Sequence, residues 1–425
     1  MSLLSEIIAK NRASHTVAIA SVCSAQPDVL QAAILLAGRL NKPVLIKATS
    51  NQVNQFGGYT GMKPIDFIAL VTRIASDNRV DPALIHFGGD HLGPQVWRTE
   101  PAKIAMPHAS KMMRAYVEAG FTKIHLDCSE GCAGEPAQVD DTTSAERSAE
   151  LAAICEQYAP DPEKLSYVIG TEVPPPGGAR AEEAGQGTLP TNADHARHTL
   201  ECHSDAFAAR RLSHVWPRII GLVVQPGLEF APTHLDHFDM TAPNLLSTAL
   251  SNDPHICFEA HSTDYQRNAV YPELARRNFA VLKVGPALTF AYRQALYALD
   301  HMREHLAPAS KASRLLATVE SLMLAEPSKW NKHYAGSETE LYQQRHFSYA
   351  DRIRYYWPEQ KAQSAIEALF DALETPPPMR PLLEQYFDEA VINTAVSLKD
   401  LAGGWAKALV IAQIQRALMP YFFEK

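Results

Sequence analysis

The chain has 425 residues, 46% hydrophobic and 20% charged, an ordinary globular composition that excludes disordered, collagenous, mucin-like and coiled-coil chains. Lys and Arg number 39 against 47 Asp and Glu, and the formal charge of -8 offers no basic field to a nucleic acid. No stretch approaches the roughly 18 uninterrupted apolar residues of a membrane span, and the apolar run near the N-terminus is broken by Lys10, Arg12 and His15. The six cysteines include no CxxC, which signals neither a disulfide framework nor a zinc finger, so a reducing, cytoplasmic compartment is expected.

In chain order, short apolar, β-branched runs alternate with longer stretches of helical periodicity. The runs are TVAIASV from Thr16, PVLIKAT from Pro43, LIHFG from Leu84, KIHLD from Lys123, LSYVIGT from Leu165, RIIGLVVQ from Arg218, HICFEAH from His255 and FAVLKVG from Phe279. Between them lie segments such as PDVLQAAILLAGRLN, PIDFIALVTRIASD and SAERSAELAAICEQY, several opening on Pro, an acid or a hydroxyl, as helix starts do. Eight βα units predict a (β/α)8 TIM barrel over residues 1–306. An open doubly wound sheet uses the same units, but it carries a Gly-rich loop after its first strand, where this chain has CSAQPD. Residues 307–425 change character, with SYADRIRYYWP and then a TPPPMRP break, and predict a helical C-terminal extension packed on the barrel. The long insert after Glu172, VPPPGGARAEEAGQGTLP, falls where βα loops carry function.

In such a barrel the active site is built from the C-terminal ends of the strands. The polar residues there are Asp90 and His91 after the third run, Asp127 and Ser129 after the fourth, and Glu172 after the fifth. Gln225 and Glu229 follow the sixth, Glu259, His261, Asp264 and Gln266 mark the seventh, and Lys283 and Gly285 end the eighth. Each alone is unspecific: His91 is equally a satisfied structural histidine, and Asp127 a cap for its own loop. Together they mark a site, because a barrel that is merely stable has no use for converging acids, imidazoles and an ammonium. His91, His261 and Glu172 have the donor types for a divalent ion with an open position, and Asp90 beside them can move a proton. The segment VGPALT reads either as a phosphate seat at a helix start or as an ordinary Pro-initiated helix. SYADRIRYYWP reads as packing or a subunit interface rather than as a nucleic-acid patch.

The strings ATSNQVNQFGGYTGM, GGDHLGP, KIHLDCS, VIGTEVPPPGG, VVQPGLEF, FEAHSTDYQ, LKVGPALTFA and DRIRYYWP span nearly the whole chain and resemble the tagatose-bisphosphate aldolase Z-subunit-like family. That family is in turn similar to class II, metal-dependent aldolases, whose Asp-His pair on the third strand is matched by Asp90 and His91 and whose metal-binding His on the seventh is matched by His261. Asp127 and Ser129 resemble the Asp-Gly-Ser of those aldolases. One departure stands out: Gln225 occupies the place of a further ligand histidine, leaving Glu229 or His237 as substitutes. The set of strand-end groups, taken with the resemblance, implies a divalent ion (Zn, Mn or Mg) held by His91, Glu172 and His261, with Gln225 or Glu229 completing the shell. It also implies Asp90 as acid/base, Asp127 and Asp264 as hydroxyl-orienting groups or a second acid/base, and Ser129, Lys283 and Gly285 at the substrate. The implied activity is 4-epimerisation of D-tagatose 6-phosphate and D-fructose 6-phosphate; the alternative is a non-catalytic subunit that stabilises a class II aldolase. The expected partners are a sugar phosphate and either a second copy of the chain or an aldolase catalytic subunit, with no nucleic acid and no membrane. A kinase label once attached to this family finds no GxxxxGK[ST] loop here.

Overall fold

The computed structural model describes residues 3–170, 188–306, 314–373 and 377–423. Its barrel strands are β1 (Ile19–Cys23), β2 (Val44–Thr49), β3 (Ile85–Leu92), β4 (Lys123–Leu126), β5 (Ser166–Ile169), β6 (Ile219–Val224), β9 (Cys257–Ala260) and β10 (Phe279–Val284). All neighbours pair in parallel, and the sheet closes in the order β1-β10-β9-β6-β5-β4-β3-β2. Each predicted run overlaps one of these strands; β1 and β3 extend past the ends of their runs, to Cys23 and Leu92. A two-stranded hairpin, β7 (Glu229–Phe230) with β8 (Leu235–Asp236), stands apart in the connection from β6 to β9.

Because successive side chains in a strand face opposite sides, each strand supplies one row to the helices and one to the barrel interior. In β2, Val44, Ile46 and Ala48 join the core beneath the helices, while Leu45 joins the interior cluster. The helices on the outside are α2 (Pro27–Leu40), α3 (Pro64–Asp77), α4 (Ala102–Ala119), α5 (Asp141–Tyr158), α6 (Ala193–Ala209), α7 (Val270–Arg276) and α8 (Pro286–Leu306). Their ends follow local rules. Pro27 opens α2, the Gln26 side chain accepts from the amides of Asp28 and Val29, and Asn41 closes the helix in the left-handed conformation (φ 50°).

A helix that the sequence reading missed, α1 (Leu3–Ser14), packs its Leu4, Ile7 and Ile8 against Ile19, Leu45, Val168, Ile220, Val223, Cys257 and Val281. These residues form a separate apolar cluster that fills the N-terminal half of the barrel, so α1 is its floor.

Beyond the barrel come α9 (Leu315–Ala325), α10 (Glu338–Phe347), α11 (Gln360–Ala372), α12 (Arg380–Leu383), α13 (Glu389–Ala402) and α14 (Trp405–Leu418). One apolar cluster runs without a break from the barrel helices into these. Polar ties fix the register: Gln415 donates to the Ala32 carbonyl (3.1 Å), Lys42 to the Phe422 carbonyl (3.0 Å) and the Tyr421 hydroxyl to the Thr263 carbonyl (2.9 Å). Arg293 on α8 holds Asp351 (2.8 Å), itself left-handed at φ 44°, and so sets the start of the RIRYYW segment. Among the described residues, no helix is long and apolar enough to cross a membrane.

Candidate active site

Above the apolar floor the barrel interior becomes ionic. Lys47 from β2 and Lys123 from β4 reach Glu259 on β9 from two sides, at 2.6 and 2.7 Å, and none of the three side chains is exposed. Gly88 leaves the space for this: a Cβ there would sit 2.9 Å from Lys47 Cγ. Lys47 also bonds Asp90 (2.8 Å), which carries the network up to the mouth.

Asp90 lies at full burial where the ladder between β3 and β4 slips in register. One of its oxygens accepts from Lys47 and lies 3.2 Å from His125 Nδ1; the other meets Lys283 at 2.5 Å. Next to it His91 takes a positive φ of 46°, a strained conformation for a residue with a side chain. That backbone is held by the hydroxyl of Ser50 on the His91 carbonyl (2.7 Å) and by the Gln95 amide on the same oxygen. The His91 ring is fixed on both nitrogens: Nδ1 donates to Asp127 (2.7 Å) and Nε2 accepts from Lys283 (2.7 Å). Gly93 allows the third loop to press on the fourth strand, since a Cβ there would overlap the Asp127 carbonyl at 1.6 Å.

Three imidazoles surround the Asp90 carboxylate. The ring centres of His91, His125 and His261 are 5.0 to 5.3 Å apart. Ligand atoms of Asp90, His125 and His261 all lie within 4.8 Å of one another. His261 is oriented by Glu259 on Nε2 (3.0 Å), leaving Nδ1 without a partner, and His125 Nε2 is likewise buried and unpartnered. Burial lowers the pKa of both rings, so they stand neutral; His261 offers its lone pair at Nδ1, while His125 Nδ1 lies between the His91 amide (3.2 Å) and Asp90 (3.2 Å). One carboxylate, neutral imidazoles and orienting second partners are the donor chemistry of a Zn, Mn or Fe type site, so these residues fit a divalent ion.

The charges balance. Burial would raise Asp90, yet the ammoniums of Lys283 and Lys47 and the His91 ring hold it well below the ordinary carboxylate range. Glu259 is held down in the same way by Lys123 and Lys47. Burial pulls Lys123 down to about 8, against the pull of Glu259, and pushes the Cys23 thiol, 3.5 Å from Asp90, up to about 12. Asp90 is therefore a carboxylate at neutral pH and starts any reaction as a base.

The structure thus gathers Asp90, His91, Asp127, His261 and Lys283 from the sequence-predicted set, with Ser129 donating to Asp127 at 2.6 Å. Others lie apart. The Gln225 carboxamide oxygen accepts from the amides of Gly227 and Leu228 and shapes its own loop (3.0 and 3.1 Å). Glu229 sits on β7, accepting from the Phe230 amide and from Ser262, and burial raises it to about 7. Asp264 caps α8 by accepting from the amides of Gly285 and Ala287 (3.0 and 2.8 Å), so the helix start that reads as a phosphate seat holds a carboxylate. Glu172 lies outside the described residues.

Lys47, Lys123 and His125 were not in the predicted set, and Glu259 was read at its strand end without a role, although their signal is present: polar residues at every second position, Lys123-His125-Asp127 and Glu259-His261, inside runs that otherwise read as buried strand. A cavity of about 280 Å³ opens above Cys23 and Lys283 and is walled on its far side by Arg354, Tyr355 and Trp357 of the C-terminal region. The aromatic-basic run therefore borders the mouth.

Comparison with known proteins agrees with this architecture. The D-tagatose 6-phosphate 4-epimerase of Agrobacterium fabrum (strain C58 / ATCC 33970) is 45% identical over 423 residues, 99% of this chain and 97% of that protein. The crystal structure of a probable tagatose 6 phosphate kinase from Sinorhizobium meliloti 1021 shares the fold at TM-score 0.85 and 42% identity, covering 95% of this chain and 99% of that one. Residues 4–424 match the family described as D-tagatose-1,6-bisphosphate aldolase subunit GatZ/KbaZ-like, and the chain belongs to that family.

Proposed function

We propose that the chain is a D-tagatose 6-phosphate 4-epimerase that works by retro-aldol cleavage and re-addition. The observation that carries the reading is the Asp90 carboxylate, ionised by two ammoniums and enclosed by three imidazoles at a barrel mouth. The near-full-length similarity to a protein of that name supports it.

In a 2-ketose, C4 is not adjacent to the carbonyl, so its hydrogen is not acidic and direct proton exchange cannot invert the centre. Cleavage of the C3–C4 bond can. Asp90 takes the proton of the C4 hydroxyl, C4 becomes an aldehyde, and the bond pair moves to C3 to give an enediolate over C2 and C3. The aldehyde then rotates about C4–C5 and presents its other face. The bond re-forms, and Asp90 returns the proton to the new C4 oxygen. His125 and His261, with Asp90 or His91, would hold a divalent ion, which would supply polarisation of the C2 carbonyl and charge stabilisation for the enediolate. Lys283 stands beside Asp90 and His91, where an ammonium stabilises developing negative charge, and Asp127 keeps the His91 ring in one tautomer.

Two parts of this reading extend the site. The barrel, residues 1–306, runs the chemistry, and the extension, residues 307–425, contributes Arg354, Tyr355 and Trp357 to the cavity wall. Glu172, Gln225 and Glu229 remain second candidates for the ion's shell.

The family's description as an aldolase subunit favours one other reading, a silent barrel that stabilises a partner aldolase. Purified chain without any partner, given D-tagatose 6-phosphate, distinguishes them. We expect D-fructose 6-phosphate, loss of turnover on chelation and its return with added metal. Asp90→Asn lowers turnover by about 10³-fold or more, since the amide cannot exchange the proton, while the circular dichroism spectrum is unchanged. Wild-type turnover by that variant removes Asp90 from the mechanism, and no product with any metal selects the accessory role.

A further inference from the structure

The cavity joins two unlike ends. At one are Lys283 and Cys23, both in contact with Asp90; at the other is the C-terminal segment containing Arg352, Arg354 and Tyr355. Two guanidiniums flank the Tyr355 ring, Arg354 at 4.5 Å and Arg352 at 4.8 Å from its centre. Their hydrogen-bond partners are neutral. Arg354 donates to the carbonyls of Ala350 and Asp351 and to the Tyr355 hydroxyl (3.0 Å), and Arg352 donates to the Lys329 carbonyl. Asp351, whose charge also reaches Arg354, bonds Arg293 through one oxygen (2.8 Å) and makes no hydrogen bond to either guanidinium. Elsewhere in this molecule buried arginines take carboxylates, as Arg345 does with Glu320 and Arg293 with Asp351. Two adjacent guanidiniums without a hydrogen-bonded carboxylate, Arg354 of them lining the cavity, leave positive charge that an anion would satisfy.

We infer that Arg354, backed by Arg352 and steadied by Tyr355, is the seat of the substrate's phosphate, so that the C-terminal extension supplies the anion subsite for a reaction run by the barrel. The inference rests on the sugar-phosphate reading above and specifies it. Retro-aldol epimerisation frees an aldehyde fragment that must turn over without leaving. The phosphate on C6 belongs to that fragment, and a fixed anion seat beyond the reacting carbons lets the aldehyde swing about C4–C5 while its far end stays in place. The amides at the start of α8 do not offer this seat, because Asp264 already occupies them.

The test is Arg354→Met, which keeps the apolar stem over Tyr355 and removes the charge. Binding of inorganic phosphate to wild type and variant is measured by calorimetry, with KM for D-tagatose 6-phosphate and the release of triose phosphate during turnover. We expect phosphate binding to weaken and KM to rise by about 10- to 100-fold, the range of a lost charge-assisted contact. Triose phosphate should leak from the variant and not from wild type. Arg354→Lys separates charge from packing: recovery of phosphate binding supports the seat, and a folded Lys variant as deficient as the Met variant overturns it. Phosphate bound equally by wild type and the Met variant, or not bound by wild type, also overturns it. Should wild type lack epimerase activity yet lose phosphate binding on Arg354→Met, the epimerase reading fails and the anion seat stands.

Discussion

The two halves of the barrel interior are built on the same strands and are equally hidden from water, yet they share almost no chemistry. The lower half holds Ile19, Leu45, Val168, Ile220 and Val281 over Ile7 and Ile8 of α1. The upper half holds Lys47, Lys123, Glu259, Asp90 and three imidazoles. Each apolar side chain of the floor adds about 1.5 to 3 kcal/mol without needing a particular neighbour. Each ion above it costs several kcal/mol to desolvate and is tolerated only while its partners stay in place. The floor is therefore what stabilises the barrel, and the ionic half is what the stability is spent on. A single lesion should read differently in each.

The largest effect is expected in the ionic half. Glu259→Gln leaves Lys123 without its counter-charge and Lys47 with Asp90 alone, and about 3 to 5 kcal/mol of stability should be lost. Denaturant unfolding at pH 7 measures it. A loss below about 1 kcal/mol would mean that the two lysines neutralise or relax freely, and the contrast with the floor would disappear. The same variant releases His261 Nε2, so turnover should fall even at temperatures where the protein remains folded.

A lesion in the floor should be smaller and silent in the chemistry. Ile8→Ala opens a void beneath the barrel at a residue that is 2% exposed, at a cost of about 2 to 4 kcal/mol. Activity per folded molecule should be unchanged, and the loss should be the same at pH 6 and pH 8, because nothing in that cluster titrates near neutrality. A parallel fall in turnover would show that the two halves are mechanically coupled.

Legibility in the sequence divides along the same line. The eight strands could be read because their outward rows are apolar and β-branched, as buried parallel strands require. Asp90, His261 and Lys283 could be read because they stand at strand ends followed by turns. Lys47 in VLIKAT and Lys123 and His125 in KIHLD were passed over because they lie within apolar runs, where a polar residue looks like an interruption rather than an inward-facing position. Only barrel closure shows that every second residue faces one axis, where Lys47, Lys123 and Glu259 come within hydrogen-bond distance. The floor helix was missed for the opposite reason: LLSEIIAKNRAS is short and weakly patterned, and its place is set by the open end of the barrel, which no local signal reveals. Arg354 and Tyr355 were taken for packing because the contact that gives them meaning lies with residues some 300 positions earlier, such as Tyr59, whose ring is 4.8 Å from that of Tyr355.

The smallest expected effect tests the outer wall of the ionic half and concerns Tyr355. Burial alone would raise this phenol, but Arg354 and Arg352 bring it down to about 8. The groups around it do not titrate in that range: burial and Tyr355 keep Tyr59 above its ordinary value, burial raises Tyr334, and Asp351 is paired with Arg293. Below pH 8 the phenol is neutral and both guanidiniums are free to attract an anion. As pH rises through 8 a phenolate forms between them and cancels one charge. Affinity for inorganic phosphate should therefore fall relative to that of Tyr355→Phe, by about 3- to 10-fold between pH 7 and pH 9, the scale of a partly screened neighbouring charge. Tyr355→Phe reports the change that the second ionisation of phosphate itself brings over the same range. Lys123 is also brought to about 8 and will bend the turnover profile in the same range, so phosphate binding rather than turnover is the measurement that isolates the wall. A wild-type affinity that runs parallel to that of Tyr355→Phe from pH 7 to pH 9 would mean that Tyr355 keeps its proton, and that Arg354 meets the substrate with its charge undiminished.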